Sequence, residues 1–476
     1  MASSFLTRSV VLAIFLSAEA LCGISVPAFP SAQGGGALSV GGRGGRVIEV
    51  TNLNASGPGS LRAAIEAKGA RNVLFKVSGI IDLKGEPLRV KNPYLSIFGQ
   101  SAPGAGITIR GHELSILTHD VIVQYIAIRT GRDDTFGEQV GDSIGLADNA
   151  YRVIIDHCSL SWSNDENAQV WSYANPAHDI TWSWNIISEG LTYNHPSCGF
   201  IAGSNVDPDA MTNIDIHHNL FAHFNNRMPL VKVKSSRIVN NIIYDWSWFA
   251  TAISDGVSAD IIGNLYKPGP STMKSRRFGI VVRSPELMSL TQALKQPIPG
   301  PEGVPSIFIE GNSVPGSTDP LQDNWHTVRA WDDQDWPMID SVPYRRVHPL
   351  PANLFPIEIN GAEQAEQRVL ADAGANKHIN AYGRFVNRRD GIDRRIVEEY
   401  RNGNGVIPYD ENQVGGYEAI PLSTGYTDSD HDGLADLWES HYGLNPDDPS
   451  DAALDPDENG YSHLEEFLHG LKPVEP

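Results

Sequence analysis

"NIDIHHNLFAHFNNRMPLVKVKSSRIVNNIIY", residues 213–244, decides the fold. Asn219 and Asn241 each precede a short apolar run and stand 22 residues apart. The same arrangement recurs in "WSWNII", "IGNLYK" and "EGNSVP", at Asn185, Asn264 and Asn312. The four spacings are 34, 22, 23 and 48 residues. The short spacing suggests one coil of a stacked chain. The long gaps suggest coils with inserted loops, or two coils. Each repeat carries a β-rich run such as "DVIVQYIAI", "RVIIDHCSL" or "DITWSWNII". Strands point alternate side chains inward and outward, and repeats of this kind stack each unit on the last. An Asn at the same place in every coil can form an amide ladder, as in other stacked sheets. The pattern predicts an all-β protein, a right-handed parallel β-helix over residues 40–345. The rival is a β-sandwich with asparagine turns, but Asn-Gly hairpin signals are absent before residue 300.

Outward from this core, "GSLRAAIEAKGA" reads as a helix with Ser60 as N-cap and Gly69 as stop. It would cover the open edge of the stack. Residues 346–424 form a more helical and irregular extension that packs outside the coils. At the N-terminus, Arg8 followed by the apolar run Val10–Ala18 reads as a secretory signal over residues 1–20, with later cleavage points near Ala28 or Ala32. That run is too short to span a bilayer. The expectation is a secreted, extracellular monomer without membrane attachment. An oxidising compartment permits a Cys158–Cys198 disulfide, and two free buried thiols fit equally well. Asn54 in "NAS" is a glycosylation acceptor if the host glycosylates.

The formal net charge is −21, and it is unevenly spread. Residues 426–476 hold fourteen acids and one Lys, so about −13 lies there. No basic footprint for nucleic acid exists. "DSDHDGLADLWE", Asp428–Glu439, has the arrangement of a twelve-residue calcium loop: Asp428, Asp430, Asp432, the carbonyl of Leu434, Asp436 and Glu439. Gly433 permits the sharp turn. "DPDENGYSHLEE" repeats it 27 residues on with Asp455, Asp457, Asn459, the carbonyl of Tyr461 and Glu466. Pro421 and Gly425 before the first loop favour loop-helix units over full helix-loop-helix hands. Residues 425–476 therefore read as a small EF-hand-like Ca2+ module; an acidic linker is the alternative.

Arg227 stands between asparagines and Met228-Pro229, and Lys232 follows five residues later. Taken singly, each would be a solvated surface cation. Together, "VIIDHCSLSW", "ISEGL", "HHNLFAHFNNRMPLVK", "IVNNIIYDW" and "DGIDRRIVEEYRNGNG" resemble the secreted pectate lyases of polysaccharide lyase family 1 type. The likeness covers roughly residues 45–420 and is strongest to members ending in an acidic calcium repeat. It implies calcium-assisted β-elimination on pectate, the de-esterified homogalacturonan of plant cell walls.

The resemblance also assigns roles. Arg227 aligns with the arginine proposed as base. At about pH 9, deprotonating a guanidinium of ordinary pKa costs on the order of 5 kcal/mol, so flanking cations must help. Lys232 would supply part of that charge and grip a substrate carboxylate. His195 stands where a substrate-binding Lys is expected. Asp142 and Glu166, with Asp165 beside them, match the family's calcium carboxylates. Val140 and Val170 occupy places where relatives carry further Asp residues. Asp156-His157, His217 and His218 read as structural. Two other readings stay open: a β-helix hydrolase of polygalacturonase type, which needs paired carboxylates around a water, and a non-catalytic pectate binder.

Overall fold

The computed structural model describes residues 26–132, 141–193, 195–284, 300–315, 324–331, 337–339, 342 and 344–475. The segment read above as a signal, residues 1–20, and Cys22 and Val140 lie outside them. Three parallel sheets wind around one core: among the described residues they have ten, nine and eight strands. In one coil, strand Ile214–His217 belongs to the first sheet, Leu220–Phe224 to the third and Leu230–Val231 to the second. The next coil then begins at Ser235–Val239. Each strand pairs in parallel with its equivalent one coil away, which makes the protein a parallel β-helix.

The register explains the repeat. Val123, Ile155, Trp182, Ile216, Ile238, Ile261 and Ile309 lie over one another in the first sheet, one per coil. All belong to the central apolar cluster. Burial on this inward face drives the stacking, and the alternate residues point outward. The chain turns into the third sheet through a left-handed residue in successive coils: Tyr125, His157, Trp184, His218 and Asn240, with φ between 51° and 56°. Such a backbone is uncommon outside Gly and Asn. Outside the coils, four of these corner residues stack ring on ring, in the order Tyr125, His157, Trp184 and His218.

After Trp184, His218 and Asn240 the next residue is the ladder Asn. The Asn185 amide nitrogen donates to Asn219 Oδ1, Asn219 to Asn241, Asn241 to Asn264, and Asn264 to Asn312, all at 2.9–3.0 Å. Asn312 continues to Asn324 at 3.2 Å. These amides are fully buried, and each also satisfies a backbone carbonyl, as buried polar groups require. Each spacing proves to be a single coil. The 34- and 48-residue gaps carry long loops, since the strands on either side remain adjacent.

Helix α1, Leu61–Glu66, caps the first coils with Ser60 as N-cap, and it ends before Gly69. Helices α2, Ala362–Asp372, and α3, Gly391–Asn402, cover the third sheet's outer face. Val369, Leu370, Ile396 and Tyr400 meet Ile186, Leu220, Ile242 and Tyr244 there. Helices α4, Asp436–Tyr442, and α5, His463–Leu468, follow the two acidic loops. Trp438, Leu464 and Phe467 pack with Leu74 and Phe98 of the first sheet, so the acidic tail shares a core with the β-helix. Near the start of the chain, Ala28, Phe29 and Ala32 are buried against Ile122 and Ile154. A cut after Ala28 or Ala32 would remove packed residues. Among the described residues no helix is long and apolar enough to cross a membrane.

Candidate functional site

The turns between the third and second sheets put one group per coil in a row. Glu113 precedes strand Leu114–Ile116, Asp142 precedes Ile144–Ala147, and Glu166 opens Glu166–Ser172. Cys198 opens the next strand and Asn226-Arg227 precede the one after. Backbone pairing fixes the row: Leu114 N donates to Ser143 O, Ser143 N to Glu166 O, Glu166 pairs with Cys198, and Cys198 with Asn226. Residues scattered over 115 positions of sequence thus become neighbours.

One carboxylate oxygen from each of Asp142, Asp165 and Glu166 lies within 4.8 Å of the other two. Asp142 Oδ1 also accepts the Glu166 amide at 3.0 Å. Burial, then repulsion from Asp165 and Glu113, hold the Asp142 carboxyl well above the usual range. Burial raises Glu113 as well. Sequence reading missed Glu113, because nothing in "RGHELSIL" marks it; only the coil register brings it beside Asp142. Val170 faces the interior core, so it could not have carried a ligand for this row. The compact acidic cluster has the oxygen chemistry of a hard divalent cation site.

Arg227 has φ 62° and forms an ion pair with Glu166. Burial lowers its pKa, while Asp165 and Asp142 oppose the change. The chain does not leave the stack after Pro229. Leu230–Val231 pairs on both sides, and it is the left-handed corner that directs Arg227. His195 Nδ1 lies 3.4 Å from Asp165. Beyond Arg227, a cavity of about 310 Å3 is lined by His195, Lys232, Arg283, Trp171, Trp248 and Trp331, among others. Lys232, just after the strand Leu230–Val231, lines the cavity with Leu230, while Val231 points into the core. Trp162 and Trp182 are core.

The Lys232 ammonium is pushed down to about 8 by burial, then by Arg283 and Arg227, against an opposing pull from Asp255. A depressed lysine is cationic below that pH and neutral above it. If it grips an anionic polymer, KM should rise as pH passes about 8 in the wild type. Lys232→Arg should keep KM low into more alkaline buffer, because guanidinium stays charged. Parallel KM profiles for the two proteins would remove Lys232 from substrate binding.

Asp156, His157, His217 and His218 make contacts within the fold, beside the ring stack and the asparagine ladder. Asp156 accepts from His157 at 2.6 Å, and also from Ser183 and Gln124, beside the ring stack. His217 and His218 contact each other next to Asn219, and burial pushes them down to about 3 and about 4. Cys158 and Cys198 are both buried and unpaired. Asn54 is exposed in the loop before α1.

In the tail, Gly433 and Gly460 take φ 99° and 89°, as the sixth loop position requires. Asp428, Asp430 and Asp432 converge in the first loop. Burial, then neighbouring acids, push Asp432 up to about 7 and Glu439 up to about 8. Asp436 instead accepts two bonds from Ser429. The Leu434 side chain fills the shared apolar core, leaving its carbonyl as the group for the loop. In the second loop, Asp455 accepts the Asn459 and Gly460 amides, and the Tyr461 ring faces Arg43. Lys472 donates to Asp457 at 2.9 Å and to Glu466 at 2.7 Å.

No family model matches the chain. Curated relatives do. It is 31% identical over 450 residues to "Probable pectate lyase C" of Emericella nidulans, covering 94% of this chain and 93% of that one. It is 30% identical over 472 residues to the protein of the same name from Neosartorya fischeri, covering 98% of each. Among solved structures, the major allergen from cedar pollen matches with a TM-score of 0.51 and 19% identity, over 72% of this chain and 92% of that one. That last likeness bears on the fold alone.

Proposed function

The chain belongs to the pectate lyases, and from that premise we propose that it cleaves de-esterified homogalacturonan by calcium-assisted β-elimination. The observation that carries the reading is the row in which Asp142, Asp165 and Glu166 cluster within 4.8 Å and Arg227 pairs with Glu166. Those three carboxylates, with Glu113 beside them, fit a calcium ion. When bound there, calcium would withdraw negative charge from a substrate carboxylate. Arg227 then faces the sugar at the same place. Acting in its neutral form, its own proton first given up to water, Arg227 takes the proton on C5, the C5–H electron pair becomes the C4–C5 double bond, and the C4–O bond breaks with its pair going to oxygen. The departing oxygen takes a proton from water. Lys232 and His195 hold neighbouring carboxylates and keep the chain of sugars in register.

A hydrolase fits less well. Its two carboxylates must stand about 5–9.5 Å apart around the bond, whereas these acids crowd together and one is paired with Arg227. The signal-like N-terminus supports export, consistent with a polymer too large to enter a cell. Two acidic loops support a calcium-binding tail, and exposed Asn54 supports a glycan there in a glycosylating host.

The test is incubation of the purified protein with pectate, with calcium or with chelator. The expected result is ultraviolet absorbance from unsaturated ends that appears only with calcium. New reducing ends without that absorbance would mean hydrolysis. Pectate retention with neither product would mean a binder.

A further inference from the structure

The first acidic loop holds more oxygens than its own twelve residues supply. Asp428 Oδ1, Asp430 Oδ2, Asp432 Oδ2, both oxygens of Glu439 and Asp451 Oδ1 are buried without a hydrogen-bond partner. Glu439 is fully buried and Asp451 is 7% exposed. Ligand atoms of Asp432, Glu439 and Asp451 lie within 4.8 Å of one another. The aspartates share a design: one oxygen is tied to the chain and the other is left inward. Asp428 Oδ2 accepts from Lys76 and the Gly433 amide, Asp432 Oδ1 from the Leu434 amide, and Asp451 Oδ2 from the Asn445 amide. Six unpartnered carboxylate oxygens in one buried place are untenable without a cation. Asp436, the loop's own ninth residue, cannot add to them, because Ser429 occupies both its oxygens.

We propose that Asp451, which lies outside both twelve-residue loops, is a ligand of the cation held by the first loop and replaces Asp436 there. An all-protein cage of this size and oxygen number suits calcium rather than magnesium. The consequence is a crosslink. The carbonyl of Asp451 is bonded to His463 Nδ1 at 3.0 Å, at the start of α5. The ion in the first loop therefore fastens the segment that carries the second. The second loop is unlike it: Lys472 already serves as its internal cation, so its affinity is the lower of the two.

This inference rests on the reading of the tail as calcium-binding, and the experiment separates the two. The full chain carries Glu166→Gln, which removes a groove ligand, and calcium is titrated by calorimetry. The expected result is one tight site whose affinity falls by about 10–100-fold in Asp451→Asn, the range for a disrupted metal site. The exposed control Asp447→Asn should change it less than about twofold. Melting gives a second readout with opposite signs. Asp451→Asn should be at least as stable as its parent in chelator, because one of five crowded charges is gone, and should gain less from calcium. Absence of tight binding in the parent overturns the tail reading itself. Tight binding unchanged in Asp451→Asn overturns only this assignment, as does a loss of stability in chelator, which would make Asp451 a packing residue.

Discussion

Arg227→Ala is expected to lower kcat on pectate by about 10²–10⁴-fold, the range for removing a positioned proton-transfer group. That loss corresponds to about 3–5 kcal/mol of transition-state stabilisation. Arg227→Lys should fail nearly as badly, because an ammonium has neither the fork nor the reach of a guanidinium. From sequence alone Arg227 looks like a surface residue whose loss leaves stability untouched. The structure changes that expectation. Arg227 is the cation paired with buried Glu166, in a row with Asp142 and Asp165. Removing it leaves three crowded acids uncompensated, so melting in chelator should fall, and calcium should restore most of the loss. Kinetics of both variants at saturating calcium, with melting in chelator and in calcium, check this. A turnover within about tenfold of wild type would return Arg227 to an electrostatic role without proton transfer.

Arg129→Ala should cost about 3–5 kcal/mol of stability, as breaking a buried ion pair does. Arg129 is 1% exposed and donates to Asp390 at 2.7 Å, Asp393 at 2.9 Å and Ser161 at 2.8 Å. Asp390 is the N-cap of α3 and Asp393 lies in its first turn, so this arginine fastens the extension to the third sheet. Without it, buried Asp393 and half-buried Asp390 stay side by side without their cation. The combination Arg129→Met, Asp390→Asn and Asp393→Asn should recover most of the loss, since an apolar replacement of the whole set is often neutral. Urea unfolding of the single and triple variants is the measurement. A single variant within about 1 kcal/mol of wild type would show that water reaches the cluster and screens it.

The sequence by itself determined the coil. The recurring Asn185, Asn219, Asn241, Asn264 and Asn312 were legible because a ladder needs the same residue at the same place in every turn. Arg227 and Lys232 were legible because their motif is local. The first acidic loop was legible because most of its carboxylates follow one another in a fixed spacing. Tertiary structure alone decided everything that depends on which coil lies over which. Glu113 joins Asp142 through parallel strands 30 residues apart in sequence, and Arg283 joins Lys232 across two coils. Inserted loops change the length of each coil, so no regular period along the chain could have predicted either meeting. The tail shows the same division. Its loops can be read residue by residue, but the shared core with Leu74 and Phe98, the turn of Asp436 toward Ser429 and the arrival of Asp451 cannot. A spacing pattern records local backbone geometry; side-chain convergence is set by packing between segments that the sequence keeps apart.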